Sequence, residues 1–267
     1  MSAYQYLNVA SLGDGVFNVE LARGPANAVD RAMYMEIRNL FGNVDQLGGD
    51  VRAIVLSGKG RHFCGGNDLD EFATMTPDNA VERMWRVREA FFAISGCSVP
   101  VVGAVHGAAL GTGLALAASC GFVVAAKSSR FCLPQLTVGV MGGARHLARM
   151  APQPLVRRMY FTGQPETAEA FAAAGGSVFV CDDDQLMVEA ARLAKRIASY
   201  SPTAVRGSKR GLDRVEWMNL TEGYEFEQGA TVRMSGHPDS KEALAAFKEK
   251  RDPAYQPRND DRHWFGV

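Results

Sequence analysis

Apolar residues in the first half of the chain follow two alternating periods, one typical of strands and one typical of helices. Val16–Leu21 alternates between apolar and polar residues and predicts a strand, while residues 32–40 place apolar side chains at helical spacing. The runs 51–57, 99–105 and Phe122–Ala126 are apolar and rich in β-branched residues, which predicts buried strands. This βαβ rhythm predicts a mostly parallel sheet with helices on its faces.

The pattern becomes mainly helical from about residue 144 onwards. A brief strand is expected at residues 178–180. Helices with apolar faces dock either on their own core or on neighbouring subunits. The segments with helical spacing are residues 144–150, 155–161, 168–174, 186–199, 203–212, 222–234 and 241–250. Residues 251–267 are rich in proline and charge and are expected to be loose.

Two glycine-rich turns follow apolar strand-like runs in the middle of the chain. The first reads FCGGNDL at residues 63–69 and the second reads GAALGTG at residues 107–113. Each is expected to end a strand and to open a helix. Backbone N–H groups at a helix N-terminus favour negative charge, so two such turns aimed at one oxygen would stabilise an oxyanion. The pair therefore predicts an anion-binding device.

Composition and charge narrow the class of protein. The 267 residues are 47% hydrophobic and 22% charged, as in ordinary globular enzymes. Lys plus Arg equals Asp plus Glu at 29 each, so no basic surplus indicates nucleic acid or an anionic membrane. The five cysteines form no CxxC motif, which argues against a disulfide framework or a zinc site, and no metal is expected. With no signal-peptide or membrane-span pattern, we expect a cytoplasmic protein.

The same turns belong to a longer set of motifs that resembles the crotonase (enoyl-CoA hydratase/isomerase) superfamily. The resemblance covers almost the whole chain, and its motifs occur in the order that the family has. They are ARGPANA at residues 22–28, AIVLSG at 53–58, the first turn at 63–69, the run 100–113, RFCLPQ at 130–135 with Val138-Gly139, FTG at 161–163 and AFKEKR at 246–251.

The resemblance implies a fold, an assembly and a substrate class. The implied fold is α/β, the crotonase (ClpP-like) spiral of ββα units, with a helical C-terminal trimerisation region. On this basis we divide the chain into an acyl-CoA-binding core at residues 1–195 and a helical oligomerisation region with its tail at 196–267. Acyl-CoA thioesters are the implied substrates, with coenzyme A as part of the substrate and no separate cofactor. A homotrimer or a dimer of trimers is the implied assembly.

The resemblance also assigns site residues, position by position. In this family the thioester carbonyl lies between two backbone N–H groups, which fall here at Asn67 and Thr112. Because backbone groups donate, other side chains at these positions do little harm. The residues expected to bind coenzyme A are Arg23, Ala26, Asn27, Gly65, Asn67, Asp68, Leu69 and Lys250.

Two departures from the family pattern concern the groups that move protons. Hydratases of this family use two glutamates, and the matching positions here hold Ala115 and Gln135. Alanine carries no polar group, and glutamine can hydrogen-bond a water molecule but cannot take its proton. Loss of one acid or base usually costs about a hundredfold to ten-thousandfold in rate. His106, a few residues before the second turn, is the first candidate for a replacement group.

Three functions therefore stay open at the level of the sequence. The leading one is an acyl-CoA lyase or isomerase of the enoyl-CoA hydratase type that stabilises an oxyanion or enolate with non-standard acid–base groups. The second is hydrolysis of an acyl-CoA thioester or of a carbon–carbon bond, in which the oxyanion site does most of the work. The third is an acyl-CoA-binding protein without catalysis. Assay against crotonyl-CoA, with mass spectrometry for free CoA, separates the three.

Overall fold

The structure is a computed structural model that describes residues 4–255. Its strands are β1 (Leu7–Gly13), β2 (Val16–Leu21), β3 (Ala53–Gly58), β4 (Val101–Val105), β5 (Ala108–Leu110), β6 (Phe122–Ala126), β7 (Arg130–Cys132), β8 (Glu166–Thr167) and β9 (Phe179–Cys181). Its helices are α1 (Arg31–Gly42), α2 (Leu69–Ala73), α3 (Pro77–Ser95), α4 (Thr112–Ser119), α5 (Ala144–Leu147), α6 (Gln153–Thr162), α7 (Ala168–Ala173), α8 (Leu186–Ala198), α9 (Pro202–Val215), α10 (Leu220–Ser235) and α11 (Pro238–Glu249).

The main sheet has six strands in the order β1-β2-β3-β4-β6-β9. β1 pairs with β2 in antiparallel fashion, and every other neighbouring pair in this sheet is parallel. β5, β7 and β8 form a second, small sheet. The mostly parallel sheet expected from the sequence is thus confirmed. Because β3 and β4 are parallel neighbours, the two glycine-rich segments that follow them start at the same edge of the sheet.

Both faces of the main sheet are covered, which explains the continuous apolar runs of its central strands. Every residue of β3 and of β4 is buried. One face packs against α1, α3 and α4, and the other packs against α8. Parallel strands buried on both faces lose the apolar–polar alternation of a half-exposed strand. The sequence therefore showed runs rather than alternation at these strands.

Helix α4 lies in the centre of the protein, and all eight of its residues are buried. Its second residue, Gly113, touches the backbone of the first glycine-rich turn. A Cβ atom at Gly113 would lie 2.2 Å from the carbonyl oxygen of Cys64, which is far inside van der Waals contact. The absence of a side chain at this position is what allows α4 to approach the turn so closely.

Several elements differ from the expectation. Strands β1, β5, β7 and β8 were not predicted, and α5 ends at Leu147 although helical spacing continues to residue 150. The described chain beyond α8 is helical, as expected for the C-terminal region, while the boundary at residue 195 stays a prediction. The part of the expected loose tail at residues 256–267 lies outside the described residues. Among residues 4–255, no helix combines the length and the apolar character needed to cross a membrane.

Candidate functional site

The two glycine-rich turns open onto one cavity of about 410 Å³, which we call the turn cavity. Its walls come from the loop before α1, from both turns and from the 3₁₀ turn that follows β7. Asn67, Thr112 and Gln135 all line it. The structure thus brings together residues from three motifs that are distant in the sequence.

Backbone pairing with the segment before α1 fixes the first turn. The Val29 N–H donates to the Gly66 carbonyl at 2.8 Å, and the Asp68 N–H donates to the Val29 carbonyl at 3.0 Å. The N–H of Asn67, which lies between these two bonds, has no protein acceptor among residues 4–255. Buried backbone N–H groups almost always have an acceptor. An N–H beside a cavity that has no protein acceptor is therefore available to a ligand.

The second turn presents the N-terminus of α4. Gly111 has φ 52° and ψ −109°, a combination open only to glycine, and its N–H donates to the Cys132 carbonyl at 2.9 Å. The helix then begins at Thr112, and its first helical bond runs from the Ala115 N–H to the Gly111 carbonyl at 3.0 Å. As the first helical residue, Thr112 has no intrahelical acceptor for its own N–H.

A tyrosine that the sequence analysis did not single out joins the two turns. The Tyr34 hydroxyl donates to Asn67 Oδ1 at 2.5 Å and lies 3.0 Å from Thr112 Oγ1. The Thr112 hydroxyl in turn lies 3.1 Å from Asn67 Oδ1, to which it can donate. Tyr34 is 4% exposed, and burial raises the pKa of its hydroxyl well above the ordinary value. No local pattern marked this residue, because its polar partners come from two other elements.

Of the two positions of the usual glutamates, Gln135 lines the turn cavity and Ala115 does not. Gln135 lies in the 3₁₀ turn, and its Oε1 atom is buried without a hydrogen-bond partner in the part of the chain that the structure describes. Ala115 follows Thr112 by three residues on the same face of α4 and is 3% exposed. Neither side chain ionises, so these two positions cannot exchange protons with a ligand.

Five of the residues expected to bind coenzyme A line the turn cavity, namely Ala26, Gly65, Asn67, Asp68 and Leu69. Asp68 also caps α2 by accepting from the Glu71 N–H at 2.9 Å. This backbone hydrogen bond, together with the nearby Arg23 guanidinium, holds the pKa of Asp68 below its usual range. Asp68 is therefore a carboxylate at neutral pH and is poorly suited to donate a proton.

Arg23 and Asn27 are held by other parts of the protein. Arg23 pairs with Asp68 at 2.7 Å and with Asp30 at 3.0 Å. The Asn27 side chain is completely buried, and its Nδ2 donates to the carbonyl oxygens of Lys59 at 2.9 Å and of His62 at 2.8 Å. Both side chains thus hold the loop beside the cavity in place, and the expected contact of this loop with coenzyme A stays a prediction.

Lys250 and His106 do not line the turn cavity. Lys250 follows α11, and in the single chain its predicted contact with coenzyme A stays a prediction. His106 lines a separate cavity of about 630 Å³, which we call the histidine cavity, together with His62. Its Nε2 lies 2.8 Å from the Gly60 carbonyl oxygen, and His62 Nδ1 accepts from the Ala108 N–H at 3.2 Å. The structure therefore does not bring His106 to the proposed reaction centre.

The described residues support neither a cysteine nucleophile nor a metal site. Cys64 is completely buried next to the first turn, and burial raises the pKa of its thiol to about 12, so it is a packing residue rather than a nucleophile. Within residues 4–255, no group of three or more His, Cys, Asp or Glu side chains is arranged to hold a metal ion.

The chain is similar to many known proteins along most of its length. The family model described as Enoyl-CoA hydratase/isomerase matches residues 12–258. The (7aS)-7a-methyl-1,5-dioxo-2,3,5,6,7,7a-hexahydro-1H-indene-carboxyl-CoA hydrolase of Mycobacterium tuberculosis is 30% identical, over 88% of this chain and 96% of that protein. The 2,3-dehydroadipyl-CoA hydratase of Escherichia coli is 30% identical, over 87% of this chain and 91% of that protein.

The fold is similar to solved structures as well. The crystal structure of an enoyl-CoA hydratase from Bacillus anthracis superposes with a TM-score of 0.89 at 29% identity, covering 95% of this chain and 100% of that one. An enoyl-CoA hydratase from Mycobacterium smegmatis gives a TM-score of 0.88 at 27% identity, over 94% of this chain and 98% of that one. The fold expected from the sequence motifs is thereby confirmed.

Proposed function

Because the chain belongs to the enoyl-CoA hydratase/isomerase family of acyl-CoA-processing enzymes, we propose that the turn cavity binds the thioester end of an acyl-CoA. The thioester carbonyl oxygen accepts hydrogen bonds from the backbone N–H groups of Asn67 and Thr112. One observation carries this proposal: both residues line one cavity, and neither N–H has a protein acceptor in the described range. Donors that are already oriented stabilise negative charge on that oxygen, and losing one typically costs about 3 kcal/mol.

The reaction that follows binding depends on which groups act as general acid and general base. An enolate or a tetrahedral oxyanion can form in the turn cavity, but Ala115 and Gln135 supply neither acid nor base. The ionisable side chains that line the cavity within the described chain are Asp68 and Asp70 at the start of α2, and Asp68 is paired with Arg23. Fast hydration by a pair of glutamates is therefore not the reaction. We propose catalysis dominated by oxyanion stabilisation.

Hydrolysis is the second candidate, and two observations favour it. Relatives from Mycobacterium tuberculosis and Rhodococcus jostii, 30% and 29% identical, carry the name of a carboxyl-CoA hydrolase. In addition, the unpartnered Gln135 Oε1 beside the cavity can accept a hydrogen bond from a water molecule. In thioester hydrolysis this water adds to the carbonyl carbon, the C–S bond breaks, and CoA leaves as thiolate while the proton of the water passes to solvent.

Cleavage of a carbon–carbon bond uses the same site differently. Water adds to a ketone two carbons away from the thioester, and the bond between that ketone and the α-carbon breaks. The electron pair moves to the α-carbon and is delocalised onto the thioester oxygen, which is an enolate held by the two N–H groups until solvent protonates the carbon. Charge thus develops on the oxygen that the two backbone donors would contact.

A panel of three substrates distinguishes these reactions. Crotonyl-CoA reports hydration by loss of absorbance, butyryl-CoA reports thioester hydrolysis by release of free CoA, and acetoacetyl-CoA reports carbon–carbon cleavage by release of acetate and acetyl-CoA. Turnover of crotonyl-CoA near ten per second, a typical enzymatic rate, would contradict the proposal. Binding of all three without turnover would favour the third hypothesis, a binding protein.

The remaining expectations about ligands and assembly are part of the proposal. The CoA nucleotide binds near residues 23–27 and the first turn, and Lys250 contributes a cation. Absence of a thermal-shift response to butyryl-CoA at millimolar concentration would contradict this. No separate cofactor is required for either reaction, and the cytoplasmic location stays a prediction from the sequence.

A trimer or a dimer of trimers is proposed for the assembly. The C-terminal helices and the turn between α9 and α10 expose large apolar side chains, including Trp217 at 61%, Leu220 at 88% and Phe247 at 83% exposure. Apolar surface of this kind is usually covered by a partner. Sedimentation equilibrium at micromolar concentration should give a mass three or six times that of the chain, and a monomer would contradict the assembly.

A further inference from the structure

The side chains of the two proposed oxyanion donors meet each other behind the turns. Asn67 Oδ1, Thr112 Oγ1 and the Tyr34 hydroxyl form a triangle with sides of 2.5, 3.0 and 3.1 Å. The three residues come from the first turn, from the start of α4 and from α1. They are separated by 33 and 78 positions along the chain. We call this group the hydroxyl triangle.

The number of hydroxyl hydrogens limits the hydrogen bonds that the triangle can make. Asn67 Oδ1 only accepts, while Tyr34 and Thr112 carry one hydroxyl hydrogen each. Two hydrogens are therefore available for three contacts, and both are used inside the triangle when Tyr34 donates to Asn67 Oδ1 and Thr112 donates either to Asn67 Oδ1 or to the Tyr34 hydroxyl oxygen. No hydroxyl hydrogen is left to donate to a ligand. The triangle is thus suited to hold the two turns together rather than to exchange protons with a substrate.

Tyr34 is itself held in place from two sides. Its ring packs edge-on against Phe91 of α3, with centroids 6.3 Å apart and planes at 77°. The start of its helix is fixed by Asp30, which caps α1 by accepting from the Met33 N–H at 2.9 Å. Just before that cap, Val29 pairs with the first turn through the backbone. The phenol therefore reaches Thr112 from an element that is already attached to the Asn67 turn.

The separation of the two backbone donors depends on how the two turns sit against each other. We propose that Tyr34 is a positioning residue, whose hydroxyl fixes the distance between the Asn67 and Thr112 N–H groups by bonding both side chains. This inference rests on the proposed function, because it needs a thioester oxygen between the two donors. A misplacement of about 1 Å at a reaction centre can cost about a hundredfold in rate, so a single hydroxyl in this place has a large effect.

The test measures the hydrogen bonds to the thioester directly; if the enzyme hydrolyses butyryl-CoA, the spectrum is recorded within the first turnover. Butyryl-CoA labelled with ¹³C at its carbonyl carbon is bound to the protein, and the carbonyl stretch is measured by infrared difference spectroscopy. In the wild type, donation by two N–H groups shifts this stretch to lower wavenumber. In Tyr34→Phe, which keeps the ring and loses the hydroxyl, we expect a smaller shift and a broader band.

Affinity provides a second readout. The thioether S-butyl-CoA has no carbonyl oxygen, so its dissociation constant reports only the rest of the site. We expect Tyr34→Phe to lower the preference for butyryl-CoA over S-butyl-CoA by about fivefold to tenfold, as for the weakening of one or two hydrogen bonds. The affinity for S-butyl-CoA itself should change by less than about twofold. Tyr200→Phe, which removes a hydroxyl at a half-exposed tyrosine beyond α8, is the matched control and should change neither quantity.

A second variant covers the case in which Tyr34→Phe fails to fold. Thr112→Val removes the other hydroxyl and keeps the backbone N–H, and it should reduce the carbonyl shift in the same direction. If both variants fold, the double variant should lose no more than the worse of the two single variants, because the triangle is already broken. If either folded single variant kept the full carbonyl shift and the wild-type preference for butyryl-CoA over S-butyl-CoA, the positioning role of Tyr34 would be overturned, while the proposed function would stand. No shift in the wild type would overturn the proposed function and this inference with it.

Discussion

The turn cavity and the histidine cavity lie at the same end of the sheet, but they present different polar groups. The histidine cavity presents mainly titratable side chains, and the turn cavity presents mainly backbone groups. The histidine cavity contains two imidazoles as well as Arg61 and Asp183, and by composition it is the more obvious catalytic site. Each imidazole nevertheless makes a hydrogen bond to the main chain. The turn cavity offers two backbone N–H groups and an unpartnered glutamine oxygen. Under the proposed function, the reaction takes place where backbone donors and a side-chain acceptor are free, and titratable side chains alone do not reveal that site.

The largest effect expected from this comparison comes from Gly113, which has no side chain at all. A Cβ at Gly113 meets the Cys64 carbonyl oxygen at 2.2 Å, so Gly113→Ala must push α4 away from the first turn by about 1 Å. The Thr112 N–H then moves away from the Asn67 N–H, and we expect turnover to fall by about a hundredfold to a thousandfold. Steady-state kinetics on the active substrate of the panel would measure this.

Gly211→Ala is the matched control, because a Cβ at this position in α9 meets no atom within 4 Å. Its turnover should equal that of the wild type, and its helix should be slightly more stable. Equal losses of activity in both variants would contradict the special role of Gly113.

A smaller gain of function is expected from the two positions that lack glutamate. Ala115→Glu combined with Gln135→Glu should raise crotonyl-CoA hydration by about tenfold to a hundredfold, since each acid or base contributes at least that much when well placed. The gain is limited because Ala115 is buried in α4, where a larger side chain commonly costs about 1–3 kcal/mol. Hydration is followed by absorbance, with the thermal unfolding midpoint measured in parallel. A rate no higher than that of Gln135→Glu alone would show that position 115 does not face the substrate.

A moderate effect on stability is expected at the edge of the turn cavity, where Asp68 caps α2. Asp68→Ala removes the cap and the ion pair with Arg23, which should cost about 1 kcal/mol and lower the unfolding midpoint by about 2–4 °C at pH 7. The pKa of Asp68 is lowered in the folded protein, so its contribution is present above the unfolded pKa near 4 and is lost as the pH falls through the folded pKa. The difference between wild type and variant should therefore shrink below about pH 4. A constant difference down to pH 2.5 would contradict this reading of Asp68.

The smallest effect is expected in the histidine cavity. His106→Gln keeps a side-chain donor for the Gly60 carbonyl oxygen and removes the titratable imidazole. If the turn cavity is the site of reaction, turnover and its pH profile should change by less than about twofold. A loss of tenfold or more, or the loss of an inflection in the pH profile, would reverse the comparison between the two cavities.

Local patterns predicted the central elements well. The strands before both turns and the helices that the two turns open all appear where the sequence placed them. The strands that were missed are short or lie at an edge, such as β5 and β8, and their residues show neither alternation nor a long apolar run. The existence of β5 and β8 depends on pairing with β7, which no local pattern reports.

The sequence by itself determined the family, the places of the central strands and of the two turns along the chain, and the absence of glutamate at positions 115 and 135. These features are local, because glycine, proline and apolar spacing constrain the backbone of their own segment. Only the tertiary structure decided that Asn27 is locked inside the loop, that His106 belongs to another cavity and that Tyr34 joins the two turns. Each of these depends on hydrogen bonds between residues about thirty to eighty positions apart, and such bonds leave no period in the sequence.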